Sequence, residues 1–197
     1  MMTPEPEAFL ATFGGQAMNP AASGNPFALI TGASRGIGYA VAAALAGRGH
    51  RLALLARSSE PLQAAAQRLA KTAPAVRAFP CEVREPAQVR QAISGAVAWG
   101  GPVDVLVNNA GIGVFGPIHE VSEQDWDRVL DTNLRGVFLC SKAVIPGMVE
   151  RGRGHIINIS SLAGKNAFAG GAAYCASKWG LMGLTYCMAE DLRRYGI

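Results

Sequence analysis

The sequence is poor in the residues that build metal sites and disulfide frameworks. Among 197 residues it has four cysteines, Cys81, Cys140, Cys175 and Cys187, and three histidines, His50, His119 and His155. No C-x-x-C pair occurs and the histidines stand apart, so neither a metal centre nor a stapled fold is expected. Charged residues are scarce as well: their 16% share lies below the roughly 25% of soluble domains, which argues against disorder. The net charge of +4 is spread along the chain, and the densest basic groups are only Arg151 with Arg153 and Arg193 with Arg194. With no basic face or arm, no nucleic-acid partner is expected. No apolar run approaches the ~18–20 residues that span a bilayer, so no membrane role is expected. No lysine or arginine precedes Arg35. A secretory signal or a mitochondrial presequence would need one, and the expected compartment is the cytoplasm.

What is abundant is glycine, at 24 residues, within a chain that is 50% hydrophobic. The length suits one domain at roughly 100–200 residues per domain, large enough to bury a core unaided. Residues 1–25 read as a flexible extension and 26–197 as the domain. Strands are predicted at Phe27–Thr31, Arg51–Ala56, Val76–Pro80, Val103–Asn108 and His155–Ser160, several as nearly continuous apolar runs of the kind buried on both faces. Helical period appears between them: Ile37, Ala40, Val41, Ala44 and Leu45 form one stripe, with Gly49 as its stop. Val89, Ile93, Ala96 and Val97 form a second, and Trp126, Val129, Leu130, Leu134 and Val137 a third. This alternation predicts an α/β fold, a doubly wound parallel sheet with right-handed crossovers.

The first strand runs into Thr31-Gly32-Ala33-Ser34-Arg35-Gly36-Ile37-Gly38. Small residues there let the backbone turn sharply and approach a pyrophosphate at the N-terminus of the next helix. A turn that only packs helix on strand would look the same. The spacing G-x-x-x-G-x-G differs from G-x-G-x-x-G and lacks the Lys-Ser/Thr ending of a P-loop. At the end of the second strand, where NAD-binding folds place an acid for the ribose hydroxyls, stand Ala56, Arg57 and Ser58. Arg57 with Arg35 can bracket a 2′-phosphate through charge-assisted bonds, so NADP(H) is expected over NAD(H).

Asn108-Asn109-Ala110-Gly111 ends the fourth strand, Asn133 lies in a helical stretch, Ser160-Ser161 closes the fifth strand, and Tyr174-Cys175-Ala176-Ser177-Lys178 opens the last helix. At i, i+4 Tyr174 and Lys178 share a helix face at about 6 Å. A free phenol ionises near pH 10, and a lysine cation with an oxidised nicotinamide favours the phenolate, making tyrosine a usable acid and base. Ser161 can hydrogen-bond the same substrate oxygen. Singly, these residues have plainer readings: an amphipathic core tyrosine, a solvated lysine, a strand-ending serine pair, a turn-forming Asn109 and an Asn133 that satisfies buried backbone.

Together and in this order, the segments from Phe27 to Ile197 resemble the single-domain short-chain dehydrogenase/reductase family. That resemblance extends to its NADP(H)-preferring 3-oxoacyl carrier-protein reductases and related carbonyl reductases. It implies a three-layer Rossmann-type sheet and interconversion of a carbonyl and a secondary alcohol, with the 4-pro-S hydride of NADPH as donor. It also implies a tetrad of Asn133, Ser161, Tyr174 and Lys178. Ser161, rather than Ser160, lies thirteen residues before the tyrosine, the family spacing. The cofactor residues so implied are Gly32, Ser34, Arg35, Gly36, Ile37, Gly38, Arg57, Ser58, Glu82, Val83, Asn109, Ala110, Gly111, Tyr174 and Lys178. Glu82-Val83 stands where the family usually has Asp-Val near the adenine. By the same resemblance, Asn133 helps hold a water linking Lys178 to a proton relay. Residues Ile112–Phe115 and Leu162–Phe168 are expected to face a small carbonyl or alcohol substrate. A homodimer or homotetramer is expected through helices near Glu123–Glu150 and Tyr174–Tyr195. Relatives continue past this point with a strand, a Pro-Gly turn, a lid and a final strand. A C-terminally truncated fold is therefore expected, with the fifth strand as an exposed apolar edge. The competing reading is a non-catalytic nucleotide-binding or interaction module.

Overall fold

The segment Phe27–Thr31 forms strand β1 with all five residues buried, as an unbroken apolar run at the centre of a sheet should be. The structure is a computed structural model that describes residues 24–197, so the expected N-terminal extension lies almost wholly outside the described residues. After β1 come α1 (Gly36–Ala46), β2 (Arg51–Ala56), α2 (Ser59–Leu69), β3 (Val76–Pro80), α3 (Pro86–Gly100) and β4 (Val105–Asn108). They are followed by α4 (Glu123–Leu130), α5 (Gly136–Arg151), β5 (His155–Asn158) and α6 (Ala172–Leu192). The five strands pair in parallel in the order β3-β2-β1-β4-β5. That is the doubly wound, Rossmann-type sheet expected, and its order reverses between β1 and β4, where ligands of such sheets bind at the carboxyl ends.

The pleat divides the core into two layers. Phe27 and Leu29 of β1 and Leu55 of β2 pack with Val89 and Ile93 of α3 and Val144 and Met148 of α5. Ala28, Ile30, Leu52 and Leu54 face the other way, onto Ala42 and Ala46 of α1 and Leu62 and Leu69 of α2. At the β5 edge the burial alternates exposed and half-buried, and Ile157 is 37% exposed.

Three expectations need correction. The stripe Ile37, Ala40, Val41, Ala44 and Leu45 is not the buried face of α1: Ile37 is 63% exposed, while Gly38, Ala42 and Ala46 are buried. The helix lies so close to the glycine turn that a Cβ on Gly38 would strike the Gly32 carbonyl, so only small side chains fit against the sheet. The stop is as expected, with Gly49 at φ +80° and His50 N–H returning to Leu45 O at 3.0 Å. Second, β4 begins at Val105 rather than Val103, because the Asp104 carboxylate accepts the Phe27 N–H at 2.9 Å in place of a ladder bond. β5 correspondingly ends at Asn158, short of Ser160. Third, the helix expected over 123–150 is interrupted by a π-helical turn at Asp131–Arg135. The last helix starts at Ala172 and closes in a 3-10 turn at Arg193–Tyr195.

Candidate active site

Thr31 ends β1 and ties the glycine turn to the end of β4. Its hydroxyl accepts the N–H groups of Asn109 (3.0 Å) and Ala110 (3.1 Å) and donates to the Val107 carbonyl at 3.4 Å. The Asn109 carboxamide donates in return to the carbonyls of Thr31 (3.1 Å) and Gly32 (3.2 Å). Gly32 sits at φ +64°, and a Cβ there would lie 2.8 Å from the Asn109 Nδ2. Glycine is thus required both by conformation and by contact. Arg35 is the N-cap of α1 and makes no side-chain cap bond, which leaves the first helical N–H groups aimed at the mouth of the turn. Ser34 is half-buried, and Arg35, Gly36 and Ile37 are exposed around that mouth. This is a cradle that suits a dinucleotide pyrophosphate.

Arg57 and Ser58 are exposed just past β2. The pairing of Ala56 with Pro80 sets them beside Glu82 and Val83, which follow β3. The Glu82 carboxylate folds back on Arg84, accepting its backbone N–H at 3.2 Å and its guanidinium at 3.0 Å. Burial pushes the Glu82 carboxyl up, but the Arg84 hydrogen bonds and the charges of Arg84 and Arg57 outweigh it, and the net shift is downward. Glu82 therefore stays ionised and engaged by arginine. Val83 is buried and packs against Gly136, where a Cβ would lie 3.0 Å from it.

The π-helical turn carries Asn133 into the interior, fully buried. Its Oδ1 accepts the Ile112 N–H at 2.8 Å, and its Nδ2 donates to the Ile112 carbonyl (2.8 Å) and to the Ser177 Oγ (3.0 Å). Ser177 donates to the Tyr174 carbonyl at 2.7 Å, so Asn133 joins the loop after β4 to the first turn of α6. Gly111 lies against the same carboxamide, with a Cβ position 3.3 Å from the Oδ1.

Lys178 is one turn beyond Tyr174 and buried, with its ammonium 5.8 Å from the centroid of the tyrosine ring. It donates to the Ile159 carbonyl at 2.8 Å, and burial holds its pKa below the ordinary lysine value. Ser161 accepts the Ala163 N–H at 3.1 Å and so caps the 3-10 turn Leu162–Gly164. A hydroxyl that accepts this way still has its proton to donate. The turn docks on α6: a Cβ on Gly164 would lie 3.1 Å from the Lys178 carbonyl and 3.0 Å from the Ser160 Oγ.

Sequence reasoning passed over the layer beneath. Asn108 donates to Ser141 (3.1 Å) and to the Asn158 Oδ1 (2.9 Å), and Asn158 donates to Thr185 at 2.9 Å. This polar chain links β4, α5, β5 and α6. Its members lie 33, 50 and 27 residues apart, and no local pattern announces them.

The short chain dehydrogenase pattern matches residues 26–197. The chain belongs to the short-chain dehydrogenase family. The granaticin polyketide synthase putative ketoacyl reductase 1 of Streptomyces violaceoruber is 42% identical over 180 residues, 90% of this chain and 66% of that protein. The chain spans about two thirds of the length of such curated relatives. Among solved structures, a metagenomic short-chain oxidoreductase in complex with NADP superposes with a TM-score of 0.83 at 44% identity, over 86% of this chain and 77% of that one. An NAD+-bound xylitol dehydrogenase gives a TM-score of 0.85 at 35% identity, over 87% and 66%. Among the described residues no helix is long and apolar enough to cross a membrane.

Proposed function

We propose that this chain is the cofactor-binding and catalytic part of an NADP(H)-dependent oxidoreductase that interconverts a carbonyl and a secondary alcohol. The observation that carries this reading is the buried Lys178 ammonium held 5.8 Å from the Tyr174 ring, one helical turn behind it. With that ammonium on the same helix face, the Tyr174 hydroxyl can give its proton to a carbonyl oxygen or take one from an alcohol. Bound NADPH supplies the hydride for reduction, and NADP+ receives it in the reverse direction. Ser161 donates its hydroxyl proton in a hydrogen bond to the same oxygen and stabilises the charge that builds there. Asn133 acts on the tyrosine through the Ser177 bond and keeps the loop after β4 in place.

The preference for NADP(H) rests on Arg35 and Arg57, both exposed, and on the lack of an acid at the end of β2, where one would repel a 2′-phosphate. The NADP-bound relative supports this, and the NAD+-bound one shows that the fold alone does not decide it. The ketoacyl-reductase relative supports a carbonyl substrate. The dimer or tetramer through α4–α5 and α6 is proposed by analogy with the family.

The test is titration of the chain with NADPH and with NADH, read by cofactor fluorescence, followed by turnover on simple ketones. Saturable binding that favours NADPH, with turnover, supports the reading. Equal or tighter NADH binding overturns the cofactor assignment. Tight NADPH binding without turnover on any ketone favours the non-catalytic nucleotide-binding module.

A further inference from the structure

One exposed aromatic ring stands beside Tyr174 and a second stands beside the first, and the backbone is shaped to hold them there. Phe115, 62% exposed, meets the Tyr174 ring edge-on at 5.6 Å between centroids. Phe168, 49% exposed, lies 5.9 Å from Phe115. The two rings come from separate loops, one after β4 and one after β5. The Gly116 N–H donates to the Gly170 carbonyl at 2.9 Å and fastens those loops together. Each ring also lies over a glycine: a Cβ on Gly113 would sit 2.6 Å from the Phe115 ring, and one on Gly171 would sit 2.6 Å from the Phe168 ring. Large rings left in water yet fixed by both neighbours and backbone form a surface for something apolar.

Polar partners are few along these loops. Between Ile112 and Ile118, and again between Leu162 and Tyr174, the only charged residue is Lys165. Asn166 turns its carboxamide to the Leu162 carbonyl at 3.4 Å. A site that selects a polyhydroxylated chain needs donors and acceptors for each hydroxyl, because unpaired polar groups are costly to bury. An aromatic wall instead offers dispersion contact and offset or edge-on stacking.

We infer that Phe115 and Phe168 form a substrate-selecting wall beside Tyr174, and that the site takes a ketone carried on a flat, apolar body rather than on a polyhydroxylated chain. This rests on the proposed reading of Tyr174 as the acid that meets the carbonyl oxygen. The wall holds the ring system and leaves the carbonyl at the tyrosine hydroxyl, so these phenylalanines set KM more than kcat.

The test uses α-tetralone as the flat probe and xylulose as the polyhydroxylated one, with the chain saturated by NADP+ for binding and by NADPH for turnover. Ligand-observed NMR should show tetralone binding that weakens about tenfold in Phe115→Ala and again in Phe168→Ala, the scale of one lost ring contact. Phe115→Leu should recover only part of the loss, and xylulose should respond to none of these changes. Both side chains are largely exposed, so unchanged circular dichroism should accompany the loss. Tetralone that fails to bind, or binds equally to wild type and the double variant, overturns the wall. Tetralone that binds as described yet is never reduced overturns the oxidoreductase reading and leaves the wall standing. Where turnover occurs, kcat/KM must favour tetralone through KM; a preference for xylulose overturns the inference.

Discussion

Asn133 and Ile112 hold each other through a reciprocal pair of hydrogen bonds: the Asn133 Oδ1 accepts the Ile112 N–H, and its Nδ2 donates to the Ile112 carbonyl, both at 2.8 Å. A carboxamide offers an acceptor and a donor side by side, so it can engage the N–H and the carbonyl of one residue together. Because Asn133 is fully buried, removing it strands Ile112 and Ser177 together. Asn133→Ala should lower the unfolding free energy by about 3 kcal/mol, measured by urea denaturation. A loss under half of that would mean that the loop after β4 readily finds other partners.

Arg57 should govern cofactor choice. Replacing it by alanine removes a charge-assisted bond to a 2′-phosphate, so the Kd for NADPH should rise by roughly tenfold or more while that for NADH moves less than about twofold. Equal changes for both nucleotides would place Arg57 outside the phosphate's reach. The Glu82 carboxylate pairs with Arg84 and reaches Arg57 only through a weaker, longer-range attraction, so Glu82→Gln should shift the NADPH-to-NADH affinity ratio slightly in the opposite direction.

Tyr174→Phe should lower kcat by about 10²–10⁴-fold, the range of general acid–base catalysis, with NADPH affinity nearly unchanged. The phenyl ring keeps its edge-on contact with Phe115, so the fold should be intact by circular dichroism.

Lys178 makes stability depend on pH in a direction that can be checked. Burial holds its folded pKa below the ordinary value of 10.5. Between those two pKa values the unfolded chain binds more protons than the folded one, so this residue's contribution to stability rises with pH. Wild type should therefore gain on Lys178→Met between neutral pH and about pH 10.5, when both are unfolded in urea across that range. A constant gap would mean that the ammonium loses no solvation on folding.

The thiols should divide by burial. Cys187 is exposed, whereas burial pushes Cys81 up to about 11 and Cys140 up to about 12. At pH 8 a disulfide reagent should modify Cys187 within the mixing phase and leave Cys81 and Cys140 untouched until the protein unfolds. Cys187→Ser should delete the fast phase.

Much of the fold was legible along the chain. The nearly continuous apolar runs at Phe27–Thr31 and Arg51–Ala56 read as strands covered on both faces, and their alternation with helical stretches implied parallel pairing. Tyr174 and Lys178 were paired by helical period alone, because four residues on a helix return to the same side. Gly32 and Gly38 announced a close approach through the absence of side chains. These signals are local, carried by spacing and residue type within one element.

Other features exist only where distant segments meet. The buried face of α1 could not be read from its most hydrophobic residues, because the distance to the turn at Gly32 decided that only Gly38, Ala42 and Ala46 would fit. The π-helical turn that brings Asn133 inward, the bonds running from Asn108 through Asn158 to Thr185, and the Glu82 carboxylate turned onto Arg84 follow the same rule. The wall of Phe115 and Phe168 does too, since each ring owes its place to a bond between loops 54 residues apart, from Gly116 to Gly170. Sequence by itself determined which elements form and which residue types gather at the carboxyl ends of the strands. Tertiary structure decided which of those side chains are buried, paired or aimed at the site, because burial and hydrogen bonding depend on partners the local chain does not contain.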